Sequence, residues 1–111
     1  MKIFVDIDET ICNNKITDKS KARDYSKSVP MQENIDAVNC LYDQGHEITY
    51  WTARGTMTGI DWFNLTKEQL TLWGAKHHDL LLGKPAYDLY IDDKSINTRN
   101  WEEAGRCAIE L

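Results

Sequence analysis

The run Lys2-Ile3-Phe4-Val5-Asp6-Ile7-Asp8-Glu9-Thr10 decides how this chain is read. Lys2 to Ile7 is apolar and β-branched, the composition of a central strand. It runs directly into two carboxylates one residue apart. Like charges at a strand end raise each other's pKa, and burial raises both. A divalent cation resolves that conflict, and oxygen-only ligands favour Mg²⁺.

Outward from this run, short β-like stretches alternate with helical patterns. Residues 12–28 are polar with no steady period and read as a long loop or flap. Pro30 is expected to open a helix, where its fixed φ is welcome. Ile35, Val38, Leu41 and Tyr42 fall on one face of that helix, and Gly45 ends it. Glu47 to Trp51 reads as the second strand. Thr66-Lys67-Glu68-Gln69 matches a capping box and predicts a helix start that carries Leu70 and Trp73 to a stop at Gly74. Asp79 to Leu82 and Asp88 to Ile91 read as two further strands, Asn97 to Ala104 as a last helix, and Cys107 to Ile109 as an edge strand. The alternation predicts one α/β domain over residues 1–111, Rossmann-like and three-layered, with a mainly parallel sheet.

In open α/β sheets, ligands bind at the C-terminal edge of the strands. Asp6, Thr52 and the pair Asp92 and Asp93 each stand at or just past such an end. Lys84, between Gly83 and Pro85, precedes the last acidic strand. A hydroxyl and a lysine suit the equatorial oxygens of a transferring phosphoryl group. The pair Asp92-Asp93 is placed to complete a metal site, or else to cap the segment that follows.

Taken together, Asp6-Ile7-Asp8-Glu9-Thr10, Trp51-Thr52-Ala53-Arg54, Gly83-Lys84-Pro85 and Tyr90-Ile91-Asp92-Asp93 resemble the four motifs of the haloacid dehalogenase-like hydrolases. The resemblance spans nearly the whole chain. The wider phrasing at 24–26, 45–55, 58–62 and 83–97 is similar to small phosphatases associated with capsular polysaccharide synthesis. The resemblance implies a Mg²⁺-dependent phosphatase in which Asp6 attacks phosphorus and becomes an aspartyl phosphate. It implies that Asp8 protonates the leaving oxygen and then deprotonates the hydrolytic water. Thr52 and Lys84 would bind phosphoryl oxygens, and Arg54 would reach the substrate or form an exposed salt bridge. Mg²⁺ would lie on the Asp6 carboxylate, the Asp8 carbonyl and Asp92, with Asp93 joining through water or orienting its neighbours. The chain departs from the family pattern at Glu9, where Gly is commonest.

Larger relatives carry a cap domain. Here about 20 residues separate Asp8 from the first helix, and one helix lies between Thr52 and Lys84. A capless domain is therefore expected, its open site closed by the 12–28 flap or by a second subunit. The expected substrate is a small phosphorylated metabolite, a phosphosugar first, with nucleotides or nucleic-acid ends as the alternative. A phosphate-accepting signalling domain and a non-catalytic binding module are the rival classes. A receiver would carry its phosphorylated Asp on a later strand than the acidic pair, which argues against it.

The remaining features bound this reading. A chain of 111 residues with net charge −5 lacks the basic footprint of a nucleic-acid binder. No apolar run approaches the roughly 20 residues that span a bilayer, so a cytoplasmic protein without membrane partners is expected. Cys12, Cys40 and Cys107 are widely spaced without a CxxC pair and read as free thiols. Lys15, Lys19, Lys21, Arg23 and Lys27 form a local basic excess that is either a solvated face or a steering patch for an anion. Tyr25 and Trp62 are either an aromatic wall or core packing. His46, His77 and His78 read as structural or surface residues.

Overall fold

The computed structural model describes residues 1–14 and 24–103. Its sheet is built from β1 (Lys2–Val5), β4 (Glu47–Trp51) and β5 (Asp79–Leu81), all parallel, in the order β1-β4-β5. Between β1 and β4 come a small antiparallel pair, β2 (Cys12–Asn13) and β3 (Val29–Pro30), and then α1 (Gln32–Asp43). Parallel neighbours need a long crossover, and α1 and then α2 (Phe63–Leu72) supply the two that this sheet requires. A short helix, α3 (Thr98–Glu103), follows β5. No described helix is long and apolar enough to cross a membrane.

The core forms where the α1 stripe meets β4. Ile35, Val38 and Leu41 are buried beside Ile48 and Tyr50, with Ile7, Ile11 and Leu70 closing the cluster. Each fully buried aliphatic of this kind contributes roughly 1.5–3 kcal/mol. The register Val5↔Tyr50 and Tyr50↔Leu80 brings the ends of all three strands to one edge. That edge is where Asp6 and Thr52 emerge.

Several boundaries differ from the sequence reading. Pro30 ends β3, paired with Cys12, and α1 begins two residues later at Gln32. The start of α2 is not the Thr66 capping box. The helix begins at Phe63, whose N–H donates to Asp61 Oδ1 at 3.0 Å, and Thr66 lies inside it with its hydroxyl turned to Arg54. Segment 88–91 is not a strand. Its backbone joins no ladder, and Leu89 and Ile91 are 76% and 89% exposed. Hydrophobicity alone suggested a strand there, but ladder pairing is what makes one; among the described residues β1, expected as a central strand, pairs only with β4, and Phe4 is exposed. Cys40 is disulfide-bonded, contrary to the expected free thiol, with its partner outside the described residues. Distance along the chain said nothing about distance in space. The strand expected at Cys107 to Ile109 and most of the basic run (Lys15, Lys19, Lys21 and Arg23) also lie outside the described residues.

The 12–28 segment is more ordered at its base than a loop. β2 and β3 pair there, and Tyr25–Lys27 forms a 3-10 turn capped by Asp24. The Asp24 carboxyl accepts from the Ser26 N–H and hydroxyl, which hold its pKa below the usual carboxylate value. His77 and His78 pack against the fold. His78 Nδ1 accepts the Ile48 N–H at 3.1 Å while its ring stacks on Tyr42, and His77 packs edge-on to Tyr50.

Candidate active site

The turn after β1 is fixed by its own backbone. The Thr10 and Ile11 N–H groups both donate to the Ile7 carbonyl, and the Glu9 N–H donates to Cys12 O at 2.8 Å. Asn34, buried on α1, donates from Nδ2 to Thr10 O at 2.8 Å. This closure forces Glu9 to φ 61, the left-handed region that glycine enters without steric cost. The departure at Glu9 thus falls on a backbone position that prefers glycine.

Asp6 projects from this turn into a cavity of about 550 Å³ whose wall also includes Asp8, Arg54, Lys84, Trp62 and Tyr87. Burial raises the Asp6 pKa above the ordinary carboxylate value, against the opposing pull of the Lys84 charge. The Lys84 ammonium is 3.6 Å from Asp6 Oδ1. It also lies over the Trp51 and Tyr87 rings, at 5.6 and 5.3 Å from their centroids. Lysine suits this place because its charge is a point at the end of a flexible stem.

Thr52 is buried and does not line the cavity. Its N–H donates to Leu81 O and its carbonyl accepts the Lys84 N–H at 3.1 Å, which ties the Lys84 loop to the end of β4. Its hydroxyl oxygen accepts the Arg54 N–H at 3.1 Å. In this arrangement Thr52 organises the two loops that carry Lys84 and Arg54.

Arg54 departs from the sequence expectation. It neither reaches outward to a substrate nor forms an exposed salt bridge, because its side chain is fully buried and its guanidinium is engaged by protein groups. Nη2 pairs with Asp8 Oδ1 at 2.9 Å and Nε with Asp8 Oδ2 at 3.0 Å. Nη1 donates to Thr66 Oγ1 and Gln69 Oε1 on α2. Sequence reading missed Thr66 and Gln69 as parts of the site. The signal was present but carried another meaning, since Thr66 and Gln69 were assigned to a helix cap.

Cys12 also touches Asp8, its thiol lying 3.5 Å from Oδ1. Burial and the neighbouring Asp8 charge push the Cys12 pKa up to about 12, so it stays a protonated thiol and is no rival nucleophile. Tyr25 and Trp62 meet edge to face at 5.2 Å between centroids, and both line the cavity.

Asp92 and Asp93 are exposed, on the irregular segment after Ile91. Among the described residues, no group of three or more His, Cys, Asp or Glu side chains is gathered as a metal site. Asp6, Asp8, Asp92 and Asp93 are thus not gathered as one cluster of side chains among the described residues.

No protein-family model matches the chain, and no curated protein matches it. A search of solved structures finds the crystal structure of an MCSG target from Vibrio cholerae. It aligns with a TM-score of 0.77 over 99% of this chain and 89% of that one, at 23% sequence identity. At that identity the likeness is one of fold: a small α/β domain with a parallel sheet.

Proposed function

We propose that this protein is a phosphomonoester phosphatase of the haloacid dehalogenase-like type, with a Rossmann-like fold, that works through Asp6. The observation that supports this best is the strand-end Asp6 in the cavity wall, with a lysine ammonium 3.6 Å from its carboxylate and a second, anchored carboxylate two residues on. A carboxylate nucleophile needs a cation to receive the phosphoryl oxygens and a proton carrier for the leaving group. Lys84 and Asp8 are those groups.

In this reading an Asp6 oxygen attacks phosphorus and the bond to the leaving oxygen breaks. The leaving oxygen takes the electron pair and a proton from Asp8, giving an alcohol and the aspartyl phosphate. Water then gives a proton to Asp8 and attacks phosphorus. The bond to Asp6 breaks, which releases inorganic phosphate and restores both carboxyl groups. Lys84 neutralises the phosphoryl oxygens in both steps. Mg²⁺ is the cofactor expected of this reaction; the Asp6 carboxylate, the Asp8 carbonyl and Asp92 would hold it, and it would offset the negative charge of the phosphoryl oxygens.

The cavity wall combines these charged groups with the rings of Tyr25, Trp62 and Tyr87. Rings of this kind pack against the apolar face of a sugar as readily as against a base. The net acidity of the chain favours a small phosphosugar over a nucleic-acid end. The test is turnover of p-nitrophenyl phosphate with Mg²⁺, followed by a panel of sugar phosphates, nucleotides and oligonucleotide ends. The wild-type chain is expected to turn over repeatedly and Asp6→Asn to be inactive while folded. Activity retained in folded Asp6→Asn refutes the reading, and a single stoichiometric phosphorylation points to a receiver instead.

A further inference from the structure

We propose that Arg54 is a positioning residue that fixes the Asp8 carboxylate for proton transfer, acting from the protein interior through α2. This inference rests on the phosphatase reading above.

Arg54 is 2% exposed and is the largest fully buried side chain. Burying a guanidinium is unfavourable unless its charge is paired and its five N–H donors are met. Here all five are directed at acceptors. Nε faces the Asp8 carboxylate, 3.0 Å from Oδ2 and 3.2 Å from Oδ1. Nη2 serves Asp8 Oδ1 at 2.9 Å and Ser28 Oγ at 3.4 Å. Nη1 serves Thr66 Oγ1 at 3.1 Å and Gln69 Oε1 at 2.6 Å. The Tyr25 ring covers one face, 4.6 Å from its centroid to the guanidinium carbon. Nothing is left over for a phosphoryl oxygen.

A two-point contact fixes the plane of a carboxylate as well as its place, which a lysine cannot do. The two Asp8 oxygens are also loaded unequally. Oδ1 accepts from Arg54 Nη2, from Asn14 Nδ2 at 2.7 Å and from the Cys12 thiol. Among the described residues, Oδ2 accepts from Arg54 Nε alone. Among the described residues Oδ2 is therefore the less loaded oxygen, and in this proposal it carries the proton that the leaving group takes. Proton transfer requires hydrogen-bond reach, and a displacement of about 1 Å can cost on the order of 10²-fold in rate. Thr66 and Gln69 hold the far side of the fork, and Gln69 Nε2 is itself held by Tyr25 O at 2.6 Å. Geometry at Asp8 is thereby set by α2, which contributes no group to the chemistry.

The experiment compares wild type, Arg54→Lys and Gln69→Met on an aryl phosphate and a simple alkyl phosphate, with Asp6→Asn as the blank. Aryl oxide leaves with little protonation, whereas an alkoxide requires the Asp8 proton. Arg54→Lys is expected to lower kcat on the alkyl ester about tenfold more than on the aryl ester, with KM within about threefold. Gln69→Met, which keeps every Asp8 contact, is expected to move the same ratio in the same direction by about threefold. Equal losses on both esters, or wild-type kcat on the alkyl ester in a folded variant, overturn the inference while leaving the Asp6 mechanism standing. Should Arg54→Lys fail to fold, Gln69→Met decides by the same criterion. Absence of any Asp6-dependent turnover removes the phosphatase reading, and this inference with it.

Discussion

The Lys84 ammonium reaches Asp6 because the backbone of Thr52 delivers it. The Lys84 N–H donates to Thr52 O, and Thr52 in turn extends the β4–β5 ladder through Leu81. Gly83, at φ 84, lets the chain leave β5 and turn back over the strand ends. Lys84→Met keeps the stem and removes the charge. It is expected to lower kcat/KM for any phosphomonoester by about 10²-fold or more, the scale of losing one charge-stabilising donor, with little change in stability. Steady-state kinetics alongside thermal unfolding measures both.

Asp6 also makes a prediction about stability. Its folded pKa is raised by burial above the unfolded value near 3.8. The folded state therefore holds this proton more tightly than the unfolded state does. Protonated Asp6 is compatible with burial, so its unfavourable contribution is absent at low pH. It grows as pH rises from the unfolded pKa through the folded one. Asp6→Asn removes that contribution. The variant is expected to be more stable than wild type at neutral pH, with the difference shrinking as pH falls through the folded pKa and gone once pH is below about 3.8. Urea titrations at several pH values check this, and an advantage that grows with acidity contradicts it.

Gly55 sits in the loop that carries Arg54. Its φ is 81, and a Cβ built there would lie 2.1 Å from the Ile60 carbonyl oxygen. The Gly59 N–H closes the same loop onto Gly55 O at 2.8 Å. Gly55→Ala therefore meets both a backbone clash and left-handed strain, and is expected to cost about 2 kcal/mol or more. Gly45, with a similar φ but open space around it, is the comparison. Gly45→Ala is expected to cost about 1 kcal/mol, from conformation alone.

The sequence reading located the strand ends well because those positions answer to local rules. Glu47 to Trp51 was read with its observed bounds, whereas the first strand was read as Lys2 to Ile7 and ends at Val5, before the acid that marks its terminus. It failed where a residue's partner is distant in sequence. Thr66 looked like a cap because its partner, Arg54, is invisible to a local pattern. Arg54 was read as a substrate contact or an exposed salt bridge for the same reason. Leu89 to Ile91 looked like a strand because apolar composition registers burial and strand alike, whereas pairing depends on an edge elsewhere in the fold.

Segment 88–93 bears on metal dependence. Asp92 and Asp93 are not gathered with Asp6, so a cation that uses them has to draw this segment toward the strand ends. Mg²⁺ is then expected to slow amide exchange in residues 88–93 beyond any effect elsewhere, and EDTA to reverse it. Asp92→Asn is expected to abolish the protection. Exchange unchanged by millimolar Mg²⁺, together with turnover that resists EDTA, excludes Asp92 as a ligand.

Glu9 offers a test of strain beside the nucleophile. Its φ of 61 is imposed by the hydrogen bonds on either side, from Glu9 N–H to Cys12 O and from Thr10 N–H to Ile7 O. A side chain in this region costs on the order of 1–2 kcal/mol, and glycine recovers most of that while losing some entropy on folding. The Glu9 side chain is exposed, so little packing is lost. Glu9→Gly is expected to stabilise the fold by about 1 kcal/mol, seen as a higher urea midpoint at an unchanged slope. Glu9→Ala separates the two contributions: it removes the same carboxylate but keeps a Cβ, and is expected to leave the midpoint near wild type. Equal stabilisation by both variants assigns the gain to charge near Asp6 and Asp8, and refutes backbone strain as the cause.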